Sequence, residues 1–212
     1  LTFGFKQIGS NCGAVGINAA VDVSGNSFWM SNDSFFLYDG AVKKIPCSVQ
    51  DYVFDDINQN AKQDVYCSSN SNYNEVIWFY ASANSDHIDR MVAYNYAENL
   101  WYIGSLARSA WADYGVYEVP YAAEFESFDT SDTITTINGL KAGRTFVYLH
   151  ETGSNDDGAA MTNHIESADI DIADGDNFMS ISRFIPDFKN QIGNVDVTMK
   201  TRPYPTASQK SH

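Results

Sequence analysis

The stretch 75–104 most constrains how this chain can fold. Three runs of apolar and aromatic residues follow one another there, with short polar breaks. They read EVIWFY at 75–80, RMVAYNY at 90–96 and LWYIG at 100–104. Aromatic and β-branched residues in runs this short suit pleated strands and fall short of a helix's usual length. Residues 82–89 and Ala97-Glu98-Asn99 supply the turns. Three strands in about 30 residues make a meander, the size of most of a propeller blade.

The same unit recurs upstream in weaker form. Ser27-Phe28-Trp29-Met30-Ser31 reads as a strand, Asn32-Asp33 as a turn, and Phe35-Phe36-Leu37-Tyr38 as the return strand closed by Asp39-Gly40. Residues 42–47 begin another strand, which Pro46 restricts to an edge or an end. Between the two units, residues 55–64 are polar and predict one or two helical turns, and residues 68–72 (SSNSN) predict a loop. A third unit is expected from 117–124 and 144–151. Repeats of this size bury their faces only by stacking on one another.

From Ile165 onward the pattern changes to strict alternation. Ile170 and Ile172 alternate with Asp169 and Asp171, Met179 and Ile181 with Ser180 and Ser182, and Val195, Val197 and Met199 with Asp196, Thr198 and Lys200. This predicts strands with one wet face, with a hairpin turn at Asp174-Gly175. The expected organisation is therefore blade-like sheets over 1–164 and further β-strands over 165–212, as a next blade or a small β-subdomain. A chain of 212 residues suits one domain or one and a half.

Composition agrees with an all-β, antiparallel-meander, β-propeller-like fold, whether or not the chain closes a full ring. Leu numbers 6 against 13 Tyr, 13 Phe and 4 Trp, and the 20 Asp, 18 Asn and 21 Ser favour turns over helices. Charged residues make up 19% and apolar ones 44%, which excludes a disordered acidic tail. No run approaches the roughly 18 apolar residues of a membrane-spanning helix. The net charge of −14 repels phosphate, so sequence-specific or groove-type nucleic-acid binding is not expected. An acidic wall can still border a channel through which DNA slides.

Cys12, Cys47 and Cys67 are odd in number and lack C-x-x-C spacing, which predicts free thiols in a reducing compartment. No signal peptide is read at the start, so the sequon Asn32-Asp33-Ser34 carries no weight. A first residue Leu1 and an end at Ala207–His212 without a cap read as those of a fragment of a longer protein or of an incomplete gene product.

Sites of chemistry were sought by motif. Asp56-x-Asn58-x-Asn60 imitates the start of a calcium loop, but Ala61 stands where the loop needs Gly and Cys67 where it needs Glu, so a solvated turn is expected. Ser154-x-Asp156-x-Gly158 resembles the first half of the Asp-box turn of sialidase propellers. Ala160 and Met161 replace its Thr and Trp, and five Arg are few for a carboxylate-gripping cluster. His150-Glu151 lacks the second His of a zincin helix, since position 154 is Ser154. No nucleophile elbow and no phosphate-binding glycine loop occurs. Trp78, Tyr80, Tyr94, Tyr96, Trp101 and Tyr102 could form a sugar-stacking platform, but core packing between stacked sheets accounts for most of them. The expectation is a non-enzyme with no catalytic residue, no cofactor and no metal site.

Three blocks of motifs, taken in order, resemble a known family. The first runs Trp29-Met30, Phe36-Leu37-Tyr38-Asp39-Gly40, Ile45-Pro46-Cys47 and Asp51-Tyr52-Val53-Phe54-Asp55-Asp56-Ile57-Asn58. The second runs Asn74-Glu75-Val76-Ile77-Trp78-Phe79-Tyr80, Tyr94-Asn95-Tyr96, Trp101, Gly104 and Arg108-Ser109-Ala110-Trp111. The third runs His150-Glu151-x-Gly153, Ile165-Glu166-Ser167, Asp174-Gly175 and Ile185-Pro186-Asp187. Over residues 9–205 this order resembles the bacteriophage tail hub or nozzle proteins, also called packaged-DNA stabilisation proteins of short-tailed phages. The resemblance implies a propeller-containing, non-catalytic virion subunit, assembled in the host cytoplasm. It would sit in a hexameric homo-oligomeric ring below the portal and adaptor, touching neighbouring tail subunits around the DNA exit channel, with no membrane partner. The alternative is a carbohydrate-binding or glycoside-hydrolysing β-propeller.

Overall fold

The structure is a computed structural model and describes residues 4, 6–115, 117–127, 136–137, 140–141, 143–153, 155–156, 158–160, 164–165, 167, 170, 177–191, 193–204 and 206–212. The chain divides into two compact units, Leu1–Gly153 and Ser154–His212. The sequence pattern had placed the change of organisation at 164/165.

The first unit opens with a four-stranded antiparallel meander: β1 (Ala20–Val23), β2 (Asn26–Met30), β3 (Phe35–Tyr38) and β4 (Val42–Ile45), in that spatial order. Ser24 (φ 51°) and Gly25 (φ 84°) form the two-residue β1–β2 hairpin, whose left-handed geometry matches strand twist. This first strand was missed in the sequence, because Val21 and Val23 alone make a weak alternating pattern. Pro46 follows β4, which lies at the sheet's edge as expected.

Helix α1 (Gln50–Asp56) comes next, then a single 3-10 turn at Lys62–Asp64. The helix therefore starts five residues before the polar stretch that predicted it. It buries Val53 and packs Phe54 on Phe35, with ring centroids 5.4 Å apart. Burial of that face, rather than propensity, holds so short a helix.

A second four-stranded meander follows: β5 (Tyr66–Asn70), β6 (Glu75–Tyr80), β7 (Arg90–Asn95) and β8 (Leu100–Gly104), again in chain order. Residues 68–70, expected as loop, are strand. They pair with β6 through Ser68↔Ile77, Ser69↔Val76 and Asn70↔Glu75. The Ser68 and Ser69 hydroxyls donate to Trp111 O (3.5 Å) and Asp113 (2.7 Å) and the Asn70 amide nitrogen donates to Glu75 and Glu151, while Asn70 Oδ1 is buried without a partner among the described residues. Ser71–Tyr73 is a 3-10 turn, and Asn74 (φ 58°) reverses the chain. At the β7–β8 turn the Asn95 side-chain oxygen accepts the amides of Ala97 (3.0 Å) and Glu98 (2.9 Å).

The third sheet contains β9 (Ala110–Ala112), β10 (Tyr121–Ser127) and the later strand that pairs with it. Two-residue strands β11 (Thr136–Ile137) and β12 (Leu140–Lys141) form a small hairpin before that strand, β13 (Gly143–Leu149). The order is β13-β10-β9, with Tyr121 opposite Leu149 and Ala122 opposite Trp111. This matches the expected third unit, with β9 added.

Strand β6 explains how these sheets pack. Val76, Trp78 and Tyr80 join one buried cluster with Phe28, Met30 and Phe35 of the first sheet. Ile77 and Phe79 join a second with Trp111 and Ala122 of the third. Successive strand side chains point to opposite faces, so β6 is buried on both faces of the middle sheet. That is why EVIWFY shows no polar alternation. The Trp78 indole donates to Ala19 O at 3.1 Å, whereas the buried Trp111 indole nitrogen has no hydrogen-bond partner among the described residues. Backbone bonds from Val15 to Met30 O and from Cys67 to Asn18 O tie segment 15–19 to both the first and second sheets.

The second unit holds β14 (Asn155–Asp156) with β15 (Ala159–Ala160), and β16 (Lys200–Thr201) with β17 (Lys210–Ser211). Gly158 (φ 83°) lies in the first of these hairpins, in agreement with the turn reading of that motif. The alternating stretches at Met179-Ser180-Ile181 and at 195–198 are not strands: residues 177–191 and 193–198 carry no ladder, while Met199 continues the β16–β17 pair through two backbone bonds with His212. Alternation needs a surface to bury its apolar face, and here Phe178 stands 91% exposed and Ile181 52%. Residues 169, 171, 172, 174 and 175, including the predicted Asp174-Gly175 turn, lie outside the described residues.

Candidate functional site

A cleft of about 510 Å³ opens in the first unit, lined by Asp64, Ala81, Asp86, His87, Ile88, Ala107, Ser109 and Phe125. Its wall is the β6–β7 connection, which local polar chemistry holds in shape. The Asp89 carboxylate accepts both the amide and the hydroxyl of Ser82, each at 2.7 Å. The Ser85 hydroxyl donates to His87 O at 2.7 Å and accepts the His87 amide at 3.2 Å, while the Asn58 amide group donates to Ser85 O at 2.8 Å. The His87 ring meets Phe125 of β10 edge-on, with centroids 5.4 Å apart. Ser109 gives its hydroxyl to Ala123 O at 3.2 Å, so it is engaged with the main chain.

Beside the third sheet, Arg108 forms a buried hub. Its guanidinium donates to Glu124 Oε2 at 2.6 Å, to Ala107 O at 2.7 Å and to His150 Nε2 at 2.9 Å. It also lies 4.5 Å from the Tyr148 ring centre, and His150 rests on Trp111 at 4.6 Å. The Arg108 side chain is 9% exposed, so the carboxylate, the imidazole acceptor and the aromatic face together replace its water.

A third polar cluster joins β5, β6, β8 and the end of β13. Asn70 donates to Glu151 Oε1 (3.2 Å) and Glu75 Oε2 (3.4 Å), and Tyr102 hydrogen-bonds Glu75. Burial, with a further contribution from Glu151, holds the Glu75 carboxyl above its ordinary pKa. The Tyr102 hydroxyl is pushed up by burial and by the same two carboxylates.

The residues singled out in the sequence have structural partners. Asp56 closes α1 and accepts the Tyr80 hydroxyl at 3.4 Å, with Arg90 Nε 3.7 Å away. Burial, with Asp56 beside it, raises the Tyr80 pKa. Asn58 Oδ1 accepts the Asn60 amide at 2.9 Å, which makes this stretch the solvated turn expected. Among the described residues no cluster of three His, Cys, Asp or Glu groups converges on one point. Trp78, Tyr80 and Tyr94 are buried and Trp101 stacks 4.6 Å from Tyr94, so core packing accounts for these four; Tyr102 stays 39% exposed. Cys12, Cys47 and Cys67 are free thiols. Burial raises the Cys47 pKa to about 11 and that of Cys67 further above its usual range, so both are weak nucleophiles at neutral pH.

Within the first unit, residues from the three motif blocks touch one another. Trp101 of the second block donates its indole to Pro46 O of the first at 2.9 Å, and Arg108 and Trp111 of the second contact His150 of the third. The cleft was missed in the sequence because Asp64, Asp86 and Ser109 come from separate connections with no common spacing. No family model and no curated protein matches the chain.

Proposed function

We propose that this chain is a non-catalytic structural subunit that works through protein–protein contacts. In its most specific form it is a propeller-type building block of a phage tail hub or nozzle, with portal, adaptor and neighbouring tail subunits as partners. The observation that carries this reading is the stacking of three sheets, with the strand β6 of the middle one buried on both faces, the packing by which blades are joined. The engagement of Arg108, His150 and Glu124 with one another supports it, since those groups fasten strands together. So does a surface of net charge −14, which suits a wall that DNA passes without sticking.

A carbohydrate-binding or glycoside-hydrolysing propeller is favoured by one observation. Asp64 and Asp86 open on a cleft with an aromatic wall, the kind of lining that sugar sites use. A glycan array and a panel of chromogenic glycosides separate the two readings. The structural reading expects neither binding nor turnover. Binding or hydrolysis that disappears in Asp64→Asn or Asp86→Asn would overturn it. A gel shift with duplex DNA at about 0.15 M salt should show no complex; a submicromolar shift would defeat the charge argument.

A further inference from the structure

Two features of the chain are incomplete in complementary ways. Strand β8 ends its sheet, and its outer edge has no ladder partner among the described residues. The edge is uncharged along Leu100–Gly104 and exposes Leu100 (56%), Tyr102 and Ile103. Native edges are normally blunted by charge. Strand β4 follows that rule with exposed Lys43 and Lys44, whereas β8 does not. Acids border β8: Glu98 lies in the turn before it, and Glu75 and Glu151 lie beside Tyr102.

Residues 177–191 have the opposite character. They expose Phe178, Met179, Ile181, Phe184, Ile185 and Phe188 with no ladder of their own. They also begin a long C-terminal stretch of net positive charge. Residues 177–212 hold five Lys or Arg against two Asp, a net of +3, of which 177–189 carry Arg183 and Lys189 against Asp187, a net of +1, while the other 176 residues carry −17. Strict alternation at Met179-Ser180-Ile181-Ser182 suits a strand with one buried face.

We infer that residues 177–189 of one copy add as a strand to the free edge of β8 in a second copy, with Arg183 and Lys189 facing the Glu75, Glu98 and Glu151 rim. Main-chain hydrogen bonds give such an addition its affinity, and the alternate apolar side chains give it register. The contact is heterologous, arm to edge, so it closes into a ring or continues as an open array. The inference deepens the assembly reading above and rests on it by naming a second copy as one of the partners.

The test is light scattering coupled to size exclusion on the full chain at about 0.15 M salt. Association with rising concentration is expected for the parent protein. The arm variant Ile181→Asp/Phe184→Asp and the edge variant Ile103→Lys should each associate at least about tenfold more weakly, with unchanged circular dichroism. Mixing the two variants should restore a one-to-one complex, because an intact arm then meets an intact edge. A parent chain that stays monomeric to roughly 100 μM overturns the inference. So does an arm variant that associates like the parent, or a mixture that stays monomeric. These outcomes differ from failure of the structural reading, which the glycan, glycoside and duplex assays detect whatever the oligomeric state.

Discussion

Residues 66–70 and 177–183 make an instructive pair. The first reads YCSSN, polar and loop-like, and is a strand; the second reads NFMSISR, alternating and strand-like, and is not. The difference lies in their neighbours. Strand β5 has β6 on one side and the Asn18 carbonyl on the other, and Cys67 lies opposite the fully buried Trp78. Ser69 Oγ donates to Asp113 at 2.7 Å, and the Ser71 hydroxyl donates to the same carboxylate, so these hydroxyls are paired where the strand ends. Residues 177–183 have the apolar pattern without a surface to receive it. A strand is a pairing, and one chain segment specifies only half of it.

The largest effects should come from removing the wall that β5 leans on. Trp78→Ala should cost about 3–5 kcal/mol, through lost burial and a cavity in a core shared by two sheets. Phe178→Ala should change stability by less than about 0.5 kcal/mol in the isolated chain. Urea denaturation of both variants checks this, and similar losses for the two would erase the contrast.

Proline sharpens the comparison at the backbone. Ser68→Pro removes a donor and a polar side chain from β5, and should cost roughly 3 kcal/mol. Ser180→Pro should leave the thermal midpoint of the unassociated chain within a degree or two, and a larger drop would mean that 177–183 already pairs.

Gly16 tests the other side of β5. A Cβ built there would lie 2.6 Å from the Gln63 carbonyl oxygen, a backbone atom that cannot swing away. Gly16→Ala should therefore push segment 15–19 off the start of β5, at about 1–3 kcal/mol. A neutral result in thermal unfolding would show that Asn18 contributes little to holding the strand.

The smallest effect concerns Glu75, the partner of Asn70 in register. Burial raises its folded pKa above the unfolded value, so the folded state holds the proton more tightly. Stability should fall as pH rises from the unfolded pKa through the raised folded one, and the penalty persists at neutral pH. Glu75→Gln should be more stable than the parent at pH 7, by under about 1 kcal/mol for a half-exposed group. The gap should close as pH falls toward the ordinary carboxylate range. Thermal midpoints of both proteins across pH check this, and a pH-independent gap would assign the effect to hydrogen bonding alone.

Much of the fold was legible along the chain. The runs at 35–38, 75–80 and 100–104 carry enough aromatic and β-branched content, and clear enough turns, for their strands to be read to the residue. The candidate site was not legible: Asp64, Asp86 and Ser109 share no spacing, and Arg108 reaches Glu124 and His150 only across strands.

What the amino-acid order determined alone was the all-β character, the turns at Asn32-Asp33, Asp39-Gly40 and 97–99, and the net acidity, because strand propensity, turn chemistry and charge are properties of neighbours in sequence. Only the tertiary structure decided that β5 is a strand, that EVIWFY faces two cores, and that residues 177–191 stay unpaired. Those outcomes depend on which surface lies opposite, and sequence distance carries almost no information about that.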